Sequence, residues 1–310
     1  MSGSVDPGAS ARTRVALVSG ASGVLGRAYC LALAARGFAV VANARGRYRY
    51  GDSCGLERVA NEVMAAGGTV LVVRGDVSTA AGSEHVIRTA LKAFGGIDVL
   101  VNNSGVPKDR TLARMTEQDF DEVVRCHLYS TFHLTRSAWR PLIASRCGRI
   151  INTVSSSGLW GNPGQSNYAA AKMGVLGFTL SLALEGARLG VNVNAVAPFA
   201  ATAATARLIP QPLREAFRPE QVAALVAWLA DAGCGANGEI FEAGGGYLRK
   251  VVLTAGSGTA FADVPTPEEV AQCLAQADPP AGVHTPANAR LAVAEFLEAA
   301  LAVTGQEAGG

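Results

Sequence analysis

Tyr168 and Lys172 carry the most suggestive chemistry in the chain, because they stand four residues apart. On a helix that spacing puts both side chains on one face, about a turn from each other. An ammonium close to a phenol favours the phenolate and lowers the tyrosine pKa toward the working range of an acid/base catalyst. Ser155 ends the strand that precedes this helix, and its hydroxyl is placed to hydrogen-bond a substrate carbonyl oxygen. Helices contain many Tyr-x-x-x-Lys pairs by chance, so the pair gains meaning only from the elements that position it.

Those elements alternate. Short β-branched runs at Val15–Ser19, Phe38–Asn43, Thr69–Arg74, Ile97–Asn102, Arg149–Ser155 and Val191–Val196 predict strands, with a last short strand at Glu239–Glu242. Helical stretches separate them at Arg27–Arg36, Leu56–Ala66, Ala80–Phe94, Glu117–Ser145, Ser166–Leu189 and Pro219–Ala230. Continuously apolar strands alternating with helices imply an α/β fold with a parallel sheet covered on both faces. Right-handed crossovers make it a doubly wound, Rossmann-type sheet. The expected organisation is a flexible N-terminus at 1–14, one Rossmann-type domain at 15–247 and a C-terminal extension at 248–310. That extension holds two short helical patterns on either side of a Pro-rich linker, Asp278–Pro286.

Between the first strand and the first helix lies Ser19-Gly20-Ala21-Ser22-Gly23-Val24-Leu25-Gly26. In that context the glycines let backbone approach a pyrophosphate, and the helix N-terminus supplies N–H groups and a positive dipole. Gly20, Ser22, Gly23, Val24, Leu25 and Gly26 are therefore candidate dinucleotide contacts, the alternative being a tight turn that binds nothing. An acidic residue at the end of the second strand would accept hydrogen bonds from the adenosine ribose of NAD. This strand instead runs Asn43-Ala44-Arg45-Gly46-Arg47, with Arg49 beyond it and no carboxylate before Asp52. Guanidinium groups suit a 2′-phosphate in charge and fork geometry, so Arg45 favours NADPH (NADP+) over NADH, unless the cluster is merely a solvated loop. Asp76 and Val77, after the third strand, are placed to reach the adenine, with a helix cap as the other reading of Asp76.

Taken together, these segments resemble the short-chain dehydrogenase/reductase family. The resemblance runs from about Arg14 to Tyr247. It is carried by the glycine turn, by Asn102-Asn103-Ser104-Gly105 ending the fourth strand, and by Ser155 thirteen residues before Tyr168-Ala-Ala-Ala-Lys172. It implies that Tyr168 is the general acid/base, that Lys172 lowers its pKa and holds the nicotinamide ribose, and that Ser155 orients the carbonyl. Asn103 and Gly105 would line the ribose and nicotinamide side. Within the family, Arg125-Cys126-His127-Leu128, Gly161-Asn162-Pro163-Gly164-Gln165-Ser166-Asn167-Tyr168 and Asn237-Gly238-Glu239-Ile240-Phe241-Glu242 are similar to the (3R)-hydroxyacyl-CoA dehydrogenase part of peroxisomal multifunctional enzymes of type 2. Lys250 and Thr266-Pro267-Glu268-Glu269-Val270 extend that similarity into the appendage. His127 stands where most of the family has an Asn that anchors a proton-relay water. It reads as a relay or helix-bending residue, or equally as a satisfied core histidine.

Three departures accompany the resemblance. The family's middle glycine falls at Val24, with Gly23 beside it. Pro198-Phe199 replaces a Pro-Gly, making Pro198–Pro212 a candidate substrate lid in which Thr202 and Thr205 are available to the nicotinamide amide or the phosphates. Ala44 replaces the Asp of the type 2 enzymes, which points to NADPH-dependent reduction. The substrate class so implied is a small-molecule ketone or acyl thioester, 3-oxoacyl-like and bound to CoA or a carrier protein, with Leu159, Trp160, Phe199 and Leu208 as pocket candidates. NAD-linked oxidation of a (3R)-hydroxyacyl-CoA is the alternative, and a catalytically silent cofactor-binding scaffold is a third reading.

Composition narrows the remaining classes. Of 310 residues, 49% are apolar and 17% charged, which supplies a core and argues against disorder. A formal net charge of +2 gives no field that would gather nucleic acid or an acidic membrane. The six cysteines form no C-x-x-C pair and the four histidines show no metal-ligand spacing, so no metal is expected. With no apolar leader, no membrane-length apolar run and no Ser-Lys-Leu ending, the expectation is a cytoplasmic protein. A homodimer or homotetramer is expected by resemblance, through the helices around Glu117–Ser145 and Ser166–Leu189.

Overall fold

The computed structural model describes residues 12–45, 55–201, 214–254, 260–261, 264–275, 286 and 288–304. Thr202, Thr205, Leu208, Arg47, Arg49 and Asp52 lie outside the described residues, as do most of the expected lid and of the Pro-rich linker. Strand β1 (Val15–Ser19) leads through the glycine turn into helix α1 (Val24–Ala35). Then come β2 (Ala39–Ala44), α2 (Gly55–Ala65), β3 (Val70–Arg74), α3 (Ala80–Phe94) and β4 (Val99–Asn102). The second half holds α4 (Glu117–Val124), α5 (Ser130–Ala144), β5 (Gly148–Thr153), α6 (Ser156–Trp160), α7 (Ser166–Gly186), β6 (Val191–Pro198), α8 (Pro219–Leu229) and β7 (Ile240–Gly244). A strand β8 (Tyr247–Val251) and two helices, α9 (Pro267–Ala275) and α10 (Ala289–Thr304), complete the described chain.

The eight strands form one sheet in the order β3-β2-β1-β4-β5-β6-β7-β8. All neighbours pair in parallel except β7 and β8, which are antiparallel. Period-2 alternation feeds two cores. Ala16, Val18, Val40 and Ala42 face α1, α2 and α8, while Val15, Leu17, Ala39 and Val41 face α3, α5 and α7. Burial on both faces explains why the strands read as unbroken apolar runs. Strand order reverses between β1 and β4, and the crevice at their carboxyl ends is where such sheets bind ligands.

Two features differ from the sequence-based expectation. The sheet does not end at β7: Gly244-Gly245-Gly246, all at positive φ, turns the chain back as β8. Charged Arg249 and Lys250 hide this strand from a reading based on apolar runs. The helix expected over Glu117–Ser145 is broken into α4 and α5 by a π-helical segment, Arg125–Tyr129, that contains His127. Such bulges occur mostly as single wide turns at functional sites. The N-terminus of α4 is fixed by a capping box, with Thr116 Oγ1 accepting from Asp119 N–H at 3.1 Å and Asp119 replying to Thr116 N–H.

Buried amides tie the centre of the sheet to its helices. Asn102 Nδ2 donates to Asn152 Oδ1 at 2.8 Å and to Thr135 Oγ1 at 2.9 Å, and Asn152 Nδ2 donates to Thr179 Oγ1 at 2.9 Å. This chain links β4, β5, α5 and α7 at the floor of the crevice. Removing one buried partner leaves the others unsatisfied, so Asn152→Ala is expected to lower the unfolding free energy by about 2 kcal/mol. Urea titration reads this as a lower midpoint with an unchanged slope. An unshifted midpoint would show that the amide chain does not hold the floor together.

Candidate active site

Side chains converge on the crevice from three directions. Ser155 leaves β5 and caps α6, its Oγ accepting from Ser157 N–H at 3.2 Å. The same hydroxyl lies near enough to the Tyr168 phenol to favour its ionised form. Tyr168 and Lys172 share one face of α7, with the ammonium 5.8 Å from the tyrosine ring centroid. Lys172 is 4% exposed, and its Nζ donates to the Thr153 carbonyl at 2.5 Å. Burial alone pushes its pKa down to about 7.

The electrostatics differ from the simple pair expected on α7. Tyr168 keeps some exposed surface as a whole residue, yet enclosure of the phenol raises its pKa, while the Ser155 hydroxyl opposes the rise. An amine driven toward neutrality, and turned to a backbone carbonyl, exerts little field on a neighbouring phenol. In this state Tyr168 holds its proton at neutral pH, as an acid ready to give it up must.

Asn167 fixes the start of α7. Its Nδ2 donates to the Lys108 and Asp119 carbonyls at 3.0 and 3.3 Å, and its Oδ1 accepts from Tyr168 N–H at 2.8 Å. The loop after β4 is thereby held to the helix that carries Tyr168. Sequence patterning gives no sign of this, since a polar residue before Tyr168 reads equally well as exposed.

His127 sits against the same tyrosine, with ring centroids 5.0 Å apart in an edge-on arrangement. Its Nε2 lies 3.0 Å from both the N–H and the carbonyl oxygen of Val106. Its Nδ1 is buried and has no partner among the described residues. Thus the ring is neither a fully satisfied core histidine nor a solvated one. It packs so closely on Gly105 that a Cβ there would lie 2.0 Å from His127 Cε1. Gly105 therefore makes room for an imidazole, which is a more specific reason for glycine than lining a ribose.

The glycine turn fits a dinucleotide. Gly20 has φ +64°, and a Cβ on it would stand 2.9 Å from the Asn103 carbonyl oxygen. A Cβ on Gly26 would meet the Gly20 oxygen at 2.2 Å, so α1 can pack on the turn only through glycine. Gly23 and Val24 face outward, and the N-terminus of α1 has no side-chain cap. Uncapped N–H groups at an exposed helix start are an anion site. Ser22 and Leu25 flank them, half-buried. Asn103 supports the turn from β4, its Nδ2 donating to the Ser19 and Gly20 carbonyls at 3.3 and 3.4 Å.

At the ribose end, Arg45 follows β2 and its guanidinium lies 4.0 Å from the Asp76 carboxylate. The same group lies near the Cys126 side chain, next to His127, and acts to lower a thiol pKa that burial raises. Asn43 is fully buried and holds this corner by donating to the Val73 and Gly75 carbonyls at 3.0 and 3.2 Å. Asp76 is not the cap of α3: that role belongs to Thr79, whose hydroxyl accepts from Gly82 N–H at 3.1 Å. Asp76 instead closes the preceding turn through Ser78, and Val77 is buried under α3. Phe199 packs at 4.1 Å, centroid to centroid, on Phe296 of α10, which makes it apolar cover beneath the site.

Known proteins with this arrangement are numerous. Residues 14–212 match the short chain dehydrogenase family. The chain is 42% identical over 241 residues to peroxisomal multifunctional enzyme type 2 of Mus musculus, a match covering 77% of this chain and 32% of that enzyme. It therefore spans about a third of that relative's length. It is 41% identical over 244 residues to a 3-oxoacyl-[acyl-carrier-protein] reductase of Synechocystis sp., covering 76% of this chain and 97% of that one. A crystal structure of a short chain dehydrogenase from Mycobacterium avium shares 38% identity at a TM-score of 0.77, covering 87% and 98% of the two chains.

Burial holds the His127 pKa down to about 3, against 6.5 for a free imidazole. Between those values the unfolded chain binds a proton that the folded chain does not, so His127 costs stability as pH falls from 6.5 toward 3. Its imidazole NMR signals should stay those of a neutral ring from pH 8 down to pH 5. Titration with a midpoint near 6.5 would contradict the buried placement.

Proposed function

The chain belongs to the short-chain dehydrogenase/reductase family of NAD(P)-dependent oxidoreductases, and within it we propose an NADPH-dependent ketoreductase acting on a 3-oxoacyl thioester or a similar β-keto compound. The observation that supports this most is the meeting of Ser155, Tyr168 and Lys172 at the crevice. When bound, the reduced nicotinamide supplies hydride to the carbonyl carbon. Ser155 Oγ, at the end of β5 near the phenol, would hold the carbonyl oxygen. Tyr168 donates its proton to that oxygen as negative charge develops there. Lys172 acts from below, keeping α7 against Thr153 and offering its remaining N–H groups to ribose hydroxyls. His127 sits behind Tyr168, where its unpartnered Nδ1 suits a proton path to or from the phenol.

For the cofactor, Gly20, Gly23, Val24, Leu25 and Gly26 would hold the pyrophosphate and Arg45 the 2′-phosphate. Support for NADPH comes from Arg45 and Ala44 at the end of β2 and from likeness to an acyl-carrier-protein reductase. A second reading, NAD-linked oxidation of a (3R)-hydroxyacyl thioester, draws on the likeness to a peroxisomal multifunctional enzyme. Self-assembly is part of the proposal: Phe120, Tyr129, Phe132, Met173 and Leu184 are exposed on and between α4, α5 and α7, the faces that would pair in a homodimer or homotetramer. Residues 15–247 are proposed as the catalytic domain and 248–310 as its extension, in a cytoplasmic protein. Among the described residues no helix is long and apolar enough to cross a membrane.

Two measurements test these assignments. Catalytic efficiency with NADPH should exceed that with NADH, and Arg45→Ala should cut the NADPH value by about tenfold or more, since a charge-assisted contact is worth roughly 1.5–3 kcal/mol. Equal use of both cofactors by the unmodified chain would overturn the role of Arg45. Tyr168→Phe should abolish turnover of a 3-oxoacyl thioester while NADPH still binds, as read by fluorescence titration. Retained turnover would mean that another group supplies the proton.

A further inference from the structure

Glu242 on β7 is a carboxylate with no exposed surface, and nothing in the reaction so far employs it. Its Oε1 accepts from Ser156 Oγ at 2.6 Å and from Trp160 Nε1 at 3.2 Å. Those two residues are the first and last of α6, the single turn of helix capped by Ser155. One carboxylate oxygen thus clamps both ends of the element whose cap is the proposed carbonyl-binding hydroxyl. The other oxygen, Oε2, pairs with Arg249 Nε on β8 at 2.7 Å. Arg249 reaches on through Nη1 to Glu295 of α10, and its guanidinium lies 5.2 Å from the Phe296 ring centroid. α10 also packs against α6 directly, and Phe296 covers Phe199 at the exit of β6.

A buried charge persists only where its partners are fixed. Here those partners come from α6, which carries Ser155 at its start, and from β8, the strand beyond the expected end of the sheet, whose Arg249 is in turn held by Glu295 of α10 in the C-terminal extension. Resting on the ketoreductase reading above, we propose that Glu242 is a positioning residue that aims Ser155 at the carbonyl oxygen, and that α10 holds Glu242 in place through Glu295 and Arg249. The C-terminal helix then belongs to the machinery of the site, acting through Arg249 and Glu242. A structural ion pair would affect folding alone; a positioning clamp must act through Ser155.

The test is a double-mutant cycle on the full chain, with a short 3-oxoacyl-CoA and NADPH. Glu242→Gln is expected to lower kcat about ten- to hundredfold, the scale of a small misplacement of a catalytic group, with NADPH affinity unchanged. In a Ser155→Ala background the same substitution should cost almost nothing more, because the group it aims is gone. Glu295→Gln should lower kcat less, and in the same non-additive way. Independently of turnover, the 15N-indole signal of Trp160, assigned with Trp160→Phe, should move in both Glu242→Gln and Glu295→Gln. Losses that add to that of Ser155→Ala, or an unchanged kcat in Glu242→Gln, would overturn the positioning role. An unmoved indole signal in Glu295→Gln would overturn the part assigned to α10. If Glu242→Gln does not fold, Glu295→Gln carries both readouts, since its salt bridge is only partly buried. A wild-type chain that reduces no 3-oxoacyl-CoA would contradict the ketoreductase reading, while the indole signal still tests the clamp.

Discussion

A lysine side chain enclosed by protein, with one backbone carbonyl as its hydrogen-bond partner among the described residues, is the constraint around which this site is arranged. Lys172 is nearly inaccessible, and its Nζ meets the Thr153 carbonyl at the end of β5. Taking an ammonium out of water costs several kcal/mol even after relaxation, and burial duly drives its pKa down to about 7. Together with the Asn152–Thr179 bond and the apolar packing of α7, that contact holds the helix on the sheet with Tyr168 beside Ser155. It also leaves the amine with unused donors in a crevice built for hydroxyl-rich and anionic ligands. Under the proposed function, a cofactor that supplied ribose hydroxyls would relieve the cost of burial, so that its binding and the charge on Lys172 would reinforce each other.

Much of this arrangement is legible in the sequence because the same physics writes both. Strands buried on two faces read as apolar runs, which is why Val15–Ser19 and Val191–Val196 are plain from composition alone. The glycine turn is equally plain, since Gly20 and Gly26 each stand where a Cβ would strike backbone. Ser155, Tyr168 and Lys172 meet because a strand end and a helix face impose their periodicities. Other features have no local signature. The π-helical segment at Arg125–Tyr129 keeps the helical pattern while widening one turn. β8 is charged because it closes an edge and feeds an ion-pair network, so it lacks the apolar run that marks its neighbours. Glu242 looks like any strand carboxylate until β8 folds back to bring Arg249 beside it and α10 brings Glu295 from distant sequence. The rise in the Tyr168 pKa has no local signature for a related reason: spacing gives proximity, whereas burial, which acts on phenol and amine alike, depends on the whole fold.

The proposed preference for NADPH rests on charge at the end of β2. A net charge of +2 averages over an end of β2 that carries Arg45 and no acidic residue. Asp76 lies 4.0 Å from Arg45 and partly offsets it, yet Asp76 is also engaged by Ser78. The pair is solvent-accessible, so its mutual attraction is modest, and a dianionic phosphate would compete for the guanidinium on favourable terms. Cys126 and His127 adjoin the same corner, which brings the ribose end of the crevice and the back of Tyr168 within one π-helical turn.

Direct transfer of hydride from NADPH to a ketone, with a protein phenol supplying the proton, is the central claim. It is tested most directly by following the label. NADPH carrying deuterium at both C4 positions is incubated with the protein and a 3-oxoacyl thioester, and the product is analysed by NMR and mass spectrometry. The account predicts one deuterium per product molecule, located on the carbinol carbon. Product without deuterium, or no product dependent on NADPH, would contradict it.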